Sequence, residues 1–302
     1  MRNLTLFIPG LLGPDARYSD DFMPALPSLE RLLARSSRKT LDTTGFHRTL
    51  ASLMRLDIEP GRDVPVAAIT RAVDDHGAAD GTWLRADPVN LSPDRDGLVL
   101  MDSFILRLSM HDALVVAAEV NKLLADYGWE VQVPSEDRWY LRFPDAPDIV
   151  TTELSSVVGR DISALLPAGR DAERFHTLLN EIQMQLHASD INRRREEQGE
   201  LPVNSVWFWG LGSLPETCRQ EWSSVFGDDA YVRGLGRITE TPVQAFPAGL
   251  QAVMDTAGED DETATPNMPV SAQRATIENV TSALVRYDGG RVDLDQPFRP
   301  RE

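Results

Sequence analysis

With 302 residues, 42% of them hydrophobic and 25% charged, the chain can bury a sizeable core and has the balance of a globular protein, not a disordered or fibrous one. Its net charge of −17 excludes nucleic acid and anionic membrane as partners of most of its surface, because phosphate groups would be repelled. The single cysteine, Cys218, excludes an intramolecular disulfide and a cysteine-rich metal site.

The apolar run from Leu4 to Gly13 is broken by Pro9 and Gly10 and has no convincing cleavage site. It reads as a buried strand, Leu4–Ile8, entering a loop. No stretch is long and apolar enough to span a bilayer, so a cytoplasmic protein is expected. Pro27–Leu33 opens a short helix with Ser28 as its N-cap and Leu29, Leu32 and Leu33 on one face. Leu50–Leu56 reads as another short helix, and Thr82–Asn90 as an extended segment. Leu98–Met101 and Ile105–Leu108 are strand-like. Ser109, with Asp112 three residues on, caps a helix that stops at Gly128. Trp129–Val133 and Arg138–Phe143 alternate like the arms of a hairpin. Strand, helix and hairpin together predict a small α+β insertion.

Further on, Ala172, Phe175, Leu179, Ile182 and Leu186 recur at steps of three and four, marking a long amphipathic helix that continues toward Glu197. Gly199 and Pro202 end it. Ser205–Trp209 is the strongest buried-strand signal, running into Gly210-Leu-Gly212. Asp255–Thr265 is acidic and rich in small residues, hence a loop, and Tyr287–Leu294 reads as a terminal hairpin.

The residues that carry chemistry are sparse. Histidine occurs only at 47, 76, 111, 176 and 187. There is no Gly-x-Ser-x-Gly elbow, His-Glu-x-x-His, Walker loop or Gly-x-Gly-x-x-Gly. A turn at Gly45 would bring Asp42 and His47 together as a metal or acid–base pair, though two unrelated surface residues is the plainer reading. Asp75-His76 lies in a Gly- and Asp-rich loop. Gly210-Leu-Gly212 follows a strand, where phosphate-binding turns sit, but lacks the third glycine. Arginine is more suggestive: Arg85, Arg138 and Arg142 fall in predicted strands and Arg193–Arg195 end a helix. Converging guanidinium groups hold phosphate bidentately; the alternative is that each caps or snorkels locally.

Between Thr151 and Pro215 the chain shows Thr151-Thr-Glu-Leu-Ser-Ser156, Leu166-Pro-Ala-Gly169, Ser189-Asp-Ile-Asn-Arg-Arg-Arg195, and Pro202-Val-Asn204 leading to Trp207-Phe-Trp-Gly210. In order and spacing this resembles the archaeal-type 2,3-bisphosphoglycerate-independent phosphoglycerate mutases of the alkaline phosphatase superfamily. Pro27-Ser-Leu-Glu30 and Trp83-Leu-Arg-Ala-Asp87 are looser echoes of the same family. The resemblance implies an α/β fold with an alkaline-phosphatase-like core sheet flanked by helices. It also implies a discontinuous core from residues 1–80 and 166–302, interrupted by an α+β subdomain at 81–165.

The departures from that pattern carry the functional expectation. Such enzymes need two divalent metals and a serine nucleophile. Pro9-Gly10 stands where the family has Asp-Gly, and Ser155-Ser156 where it has His-Asp. Ser189 replaces a histidine, no serine lies in the Thr44–Leu50 region, and no histidine follows residue 187. The resemblance therefore implies no catalytic residue, no metal ligand and no cofactor. What it retains is an anion-binding set: Arg85, Arg138, Asn192, Arg195 and Asn204. The pattern is also similar to bacterial RpfE-type regulatory proteins. The expected function is a catalytically degenerate, regulatory or anion-binding protein, with a small phosphorylated metabolite or another protein as its partner. The rival expectations are an active mutase or phosphatase with ligands relocated to Asp42, His47, Asp75 or His187, and a plain protein-interaction scaffold.

Overall fold

A computed structural model of the chain describes residues 3–8, 45–74, 81–94, 97–215, 222–245, 263–266 and 283–287. In chain order the first elements are β1 (Asn3–Ile8), α1 (Phe46–Leu53), α2 (Val66–Asp74), β2 (Thr82–Asp94) and β3 (Gly97–Met101). Then come α3 (Ser103–Leu106), α4 (Met110–Leu124), β4 (Val131–Ser135), β5 (Arg138–Phe143), β6 (Ile149–Val150) and β7 (Ala168–Gly169). The remainder are α5 (Ala172–His187), α6 (Asp190–Glu197), β8 (Ser205–Gly212), β9 (Ser224–Phe226), α7 (Ala230–Ile238), β10 (Val243–Gln244), β11 (Thr263–Pro266) and β12 (Ala283–Tyr287). The chain divides into two compact units, residues 1–54 with 219–302, and residues 55–218.

The unit 55–218 is built on an antiparallel sheet of order β3-β2-β5-β4, with β8 on the other side of β2. Period-two alternation sorts its residues. Leu84 and Ala86 of β2, Trp139, Leu141 and Phe143 of β5, and Val206 and Phe208 of β8 join one core with the apolar sides of α4 and α5. Trp83, Arg85 and Asp87, with Arg138, Tyr140 and Arg142, point the opposite way, where α2 covers the sheet through Ala67 and Ala68. Helix α4 starts where Ser109 accepts a hydrogen bond from the Asp112 N–H (3.1 Å) and buries Ala113, Val116, Ala117, Val120 and Leu124. It runs through a 3₁₀ turn and stops at left-handed Gly128. Trp129, Phe143, Phe175 and Phe208 stack through this core at ring separations of 4.8 to 6.1 Å.

In the unit 1–54 with 219–302, β9, β10 and β11 pair in parallel, β1 joins β11 in parallel, and β12 closes the edge antiparallel to β1. Asp229 caps α7, accepting from the Tyr231 and Val232 N–H groups. Tyr231 is fully buried, donates to the His47 carbonyl (3.2 Å), and meets the His47 ring edge-on, so α1 and α7 pack through an aromatic contact.

The α/β class is as expected, and β1, β2, β3, α4 and the β4–β5 hairpin fall where the sequence pattern puts them. Four features differ. Ile105–Leu108 is not a strand: Asp102 accepts from the Phe104 N–H and starts the short helix α3 instead. The long helix after Ala172 is two helices, because Ser189 begins α6 with extended backbone. The short helix expected at Leu50–Leu56 starts at Phe46, after Gly45, and stops before Arg55, which is left-handed at φ 54°. Within the acidic loop, Thr263–Pro266 is a strand. Helices α2 and α7 and strand β9 carry no signal that the sequence reading picked out. The second unit extends beyond 81–165 at both ends, because α2 packs on β2 and β8, β2 pairs with β8, and α4 packs on α5. The Pro27–Leu33 helix, Asp42, Asp75-His76, Cys218 and most of the Tyr287–Leu294 hairpin lie outside the described residues.

Candidate functional site

The sheet face beneath α2 concentrates the buried charge of the unit 55–218. Arg85 and Asp87 are two residues apart on β2, so strand geometry points both side chains to this face. They form a fork: Nε donates to Asp87 Oδ1 (2.9 Å) and Nη2 to Oδ2 (2.8 Å), with both residues buried. Asp87 also accepts from the Trp209 Nε1–H of β8 (2.7 Å) and from the Trp139 backbone N–H (3.1 Å). One carboxylate thus ties three strands together. Arg85 lies over the Tyr140 and Trp209 rings, 5.3 and 5.1 Å from their centroids.

A second fork sits beside the first. Arg138 donates to Asp74 at the end of α2 through Nε (2.7 Å) and Nη2 (3.0 Å), and Tyr140 donates its hydroxyl to the same carboxylate (2.6 Å). The Tyr140 oxygen also lies 2.9 Å from Thr70 Oγ1, which in turn donates to the Val66 carbonyl. Arg71 stacks 3.8 Å above Trp83 and donates to Gln132 of β4.

The electrostatics follow from burial and pairing. Burial alone would raise the Asp74 carboxyl, but the Arg138 guanidinium and the Tyr140 hydroxyl outweigh it and hold it below the ordinary carboxylate value. Burial would release a proton from Arg85, yet neighbouring Asp87 holds it more firmly protonated than a free guanidinium. Burial pushes the Asp87 carboxyl up, against the pull of Arg85, Trp209 and the Trp139 N–H. The Tyr140 phenol is pushed up by burial and by Asp74, so it stays a donor.

The rest of the expected anion set lies elsewhere in the same unit. Asn192 donates to the Leu186 and Val203 carbonyls and accepts from the Val203 N–H, each at 2.8 Å. Arg195 donates to the Leu106 carbonyl (2.6 Å) and the Leu201 carbonyl (2.9 Å), and its Nη1 lies 3.0 Å from Glu200. Asn204 exchanges two hydrogen bonds with the Leu91 backbone. Arg85 and Arg138 therefore share one network under α2, Arg195 braces the end of α3, Asn192 ties α6 to the Leu186 and Val203 backbone, and Asn204 pins β2. Each of the five is engaged with other groups of the protein.

Sequence reasoning missed Asp74, Asp87, Tyr140 and Thr70. Of these only Asp87 carried a local signal, its i, i+2 spacing from Arg85. It also missed Asp63, which accepts from the Thr151 backbone N–H (2.9 Å) and hydroxyl and from the Leu211 N–H (3.1 Å). The Gly210-Leu-Gly212 turn is absorbed structurally. Gly210 has φ 69°, which disfavours a side chain, and a Cβ there would crowd that of Val66 on α2 at 3.0 Å; its N–H donates to Thr151 Oγ1. Among the described histidines, His47 is buried against Tyr231, His176 contacts the Pro167 carbonyl, and His111 and His187 are exposed. Among the described residues no group of three or more His, Cys, Asp and Glu side chains is placed to hold a metal ion, and no helix is long and apolar enough to cross a membrane.

No family model matches the chain. A probable 2,3-bisphosphoglycerate-independent phosphoglycerate mutase of Geobacter sulfurreducens is 28% identical over 140 residues, 46% of this chain and 35% of that protein. The corresponding mutase of Methanosarcina barkeri is 37% identical over 60 residues, 20% of this chain and 15% of that protein. That of Methanothrix thermoacetophila is 35% identical over 72 residues, 24% and 18% respectively. The chain thus spans about a third or less of the length of these curated relatives, and over that part it is similar to phosphoglycerate mutases, as its motifs imply. Among solved structures, a cofactor-independent phosphoglycerate mutase from Thermoplasma acidophilum aligns with TM-score 0.35 at 20% identity, covering 62% of this chain and 55% of that one. The PH0037 protein from Pyrococcus horikoshii aligns with TM-score 0.44 at 13% identity, covering 74% and 56%. At these values neither alignment bears on the fold.

Proposed function

We propose that this protein retains part of a mutase-like scaffold without its phosphoryl-transfer chemistry, and acts by binding, as a regulatory protein. The observation that carries this reading is the engagement of the arginines. Arg85 and Arg138 each present the guanidinium edge that would grip a phosphate to an aspartate of the same unit, at 2.7 to 3.0 Å. Arg195 spends two donors on backbone carbonyls. A phosphorylated metabolite at Arg85 would have to displace Asp87 and strand that carboxylate in a buried site, a cost of several kcal/mol. Replacement of the family's acidic and histidine positions by Pro9, Ser155 and Ser189 supports the same reading.

The test is an assay of 3-phosphoglycerate and 2-phosphoglycerate interconversion with manganese or magnesium, alongside calorimetric titration with inorganic phosphate and 3-phosphoglycerate. Interconversion at background level and flat titrations are expected. Turnover that a chelator abolishes would overturn the reading. Binding that is lost in Arg85→Ala but carries no turnover would instead make the ligand a phosphorylated metabolite.

A further inference from the structure

Resting on the binding role just proposed, we infer that the corner formed by α3, the first turns of α4, α6 and the Glu200-Leu201 segment docks an amphipathic helical segment of another protein, apolar on one side and flanked by lysine or arginine. Phe104 and Ile105 at the tip of α3 are each 47% exposed, and Met110 and Leu114, one turn apart on α4, are 40% and 51% exposed. Leu201, also exposed, belongs to the same corner. A single guanidinium, that of Arg195, donates to both the Leu106 and Leu201 carbonyls, which brings those two backbones side by side. Large apolar side chains gathered this closely on a surface mark an interaction site more often than scattered single ones do.

Two further features bear on the occupant. The corner is built to be rigid: Asp102 caps α3, Arg107 closes it in left-handed conformation at φ 49°, and Arg195, 1% exposed, braces it from below. A fixed apolar turn costs little entropy on binding. The charges beside it are unbalanced toward acid. Asp190 is spent on Arg193, Asp112 on Arg194 and Glu200 on Arg195, which leaves the exposed Arg107 at the end of α3 facing an excess of acid from Glu196 and Glu197. Glu196 and Glu197, both exposed, lie in the last turn of α6, where the helix dipole is already negative and disfavours them. A cationic flank on the partner relieves that repulsion while its apolar side covers Phe104, Ile105, Met110 and Leu114. A second copy of this chain brings the same −17 charge, and an anionic membrane brings phosphate; the acids oppose both.

The probe is a fluorescently labelled 18-residue helical peptide of leucine and lysine, titrated by anisotropy at physiological salt, with a leucine/glutamate peptide of the same pattern as control. The wild-type chain is expected to bind the first and not the second. Ile105→Asp is expected to weaken binding at least tenfold and Glu196→Gln with Glu197→Gln severalfold, in variants whose circular dichroism is unchanged. Met184→Asp, at an apolar residue of α5 that is 68% exposed, leaves it unaltered. Equal loss with Met184→Asp, no loss with Ile105→Asp, or binding of both peptides overturns the proposal. So does flotation with anionic vesicles that Ile105→Asp abolishes, and so does a dimer in sedimentation that the same substitution dissociates, the first assigning the surface to a membrane and the second to a second copy. None of these outcomes depends on the mutase assay, so the two readings stand or fall separately.

Discussion

Asp87 accepts four hydrogen bonds from three strands while excluded from water, and its removal shows how such a group differs from a surface acid. Asp87→Ala leaves the Arg85 guanidinium buried without its counter-charge, for which the expected loss is about 3–5 kcal/mol, read by urea denaturation. Asp74 makes the corresponding argument about pH. Its folded-state value is depressed, so the stability it contributes is fully present above the unfolded value near pH 4 and is lost as the pH falls through the lower folded value. Denaturation midpoints measured between neutral pH and about pH 2 should fall on the acid limb in the wild type. In Asp74→Asn that limb should be shallower, with a lower plateau at neutral pH.

At the scale of elements, Arg195 shows a motif position put to structural use. Its two donors join the Leu106 and Leu201 carbonyls, and a lysine has no fork to span both. Arg195→Ala and Arg195→Lys should both destabilise the unit by about 2–4 kcal/mol, with amide exchange rising first in α3. The parts of the fold legible in the sequence are those where a period repeats often enough to be seen. Arg138–Phe143 alternates over six residues, and α4 has both a serine cap and a glycine stop. Ile105–Leu108 offers four residues and no period, so only the Asp102 cap distinguishes helix from strand. Ser189 and Asp190 do spell a helix start, but the apolar spacing of α5 runs up to them and masks the break. The arginines of the site were legible as strand residues. Their carboxylate partner Asp74 was not, because it arrives from α2, 64 residues away from Arg138.

For the whole molecule, the division at 54/55 and 218/219 says that residues 55–218 carry their own two-sided core, one side under α2 and the other under α4 and α5. Expressed alone, this segment should unfold in one cooperative transition with near-ultraviolet dichroism from its buried tryptophans; a broad transition without that signal would refute the division. The net charge of −17 adds a second expectation. Raising monovalent salt toward about 0.2 M should raise the melting temperature of the full chain by screening self-repulsion, while the enclosed Arg85–Asp87 pair is screened far less.

The central position of β2 also sets an order of assembly. On its partner β5 the backbone donor Trp139 lies 52 residues downstream of Asp87, whereas Trp209 of β8 stands 122 residues away. Each doubling of a closed loop adds only about 0.6 kcal/mol, so the final stability hardly registers the difference, but the rate does. During synthesis the β2–β5–β4 hairpin layer is complete by residue 143, and one edge of β2 then waits, unpaired, until residue 212 has emerged. An open edge invites pairing with another chain. Refolding followed by Trp209 should therefore lag behind signals from the 129–143 hairpin, and losses to aggregation should concentrate in that interval, growing with any substitution that delays β8.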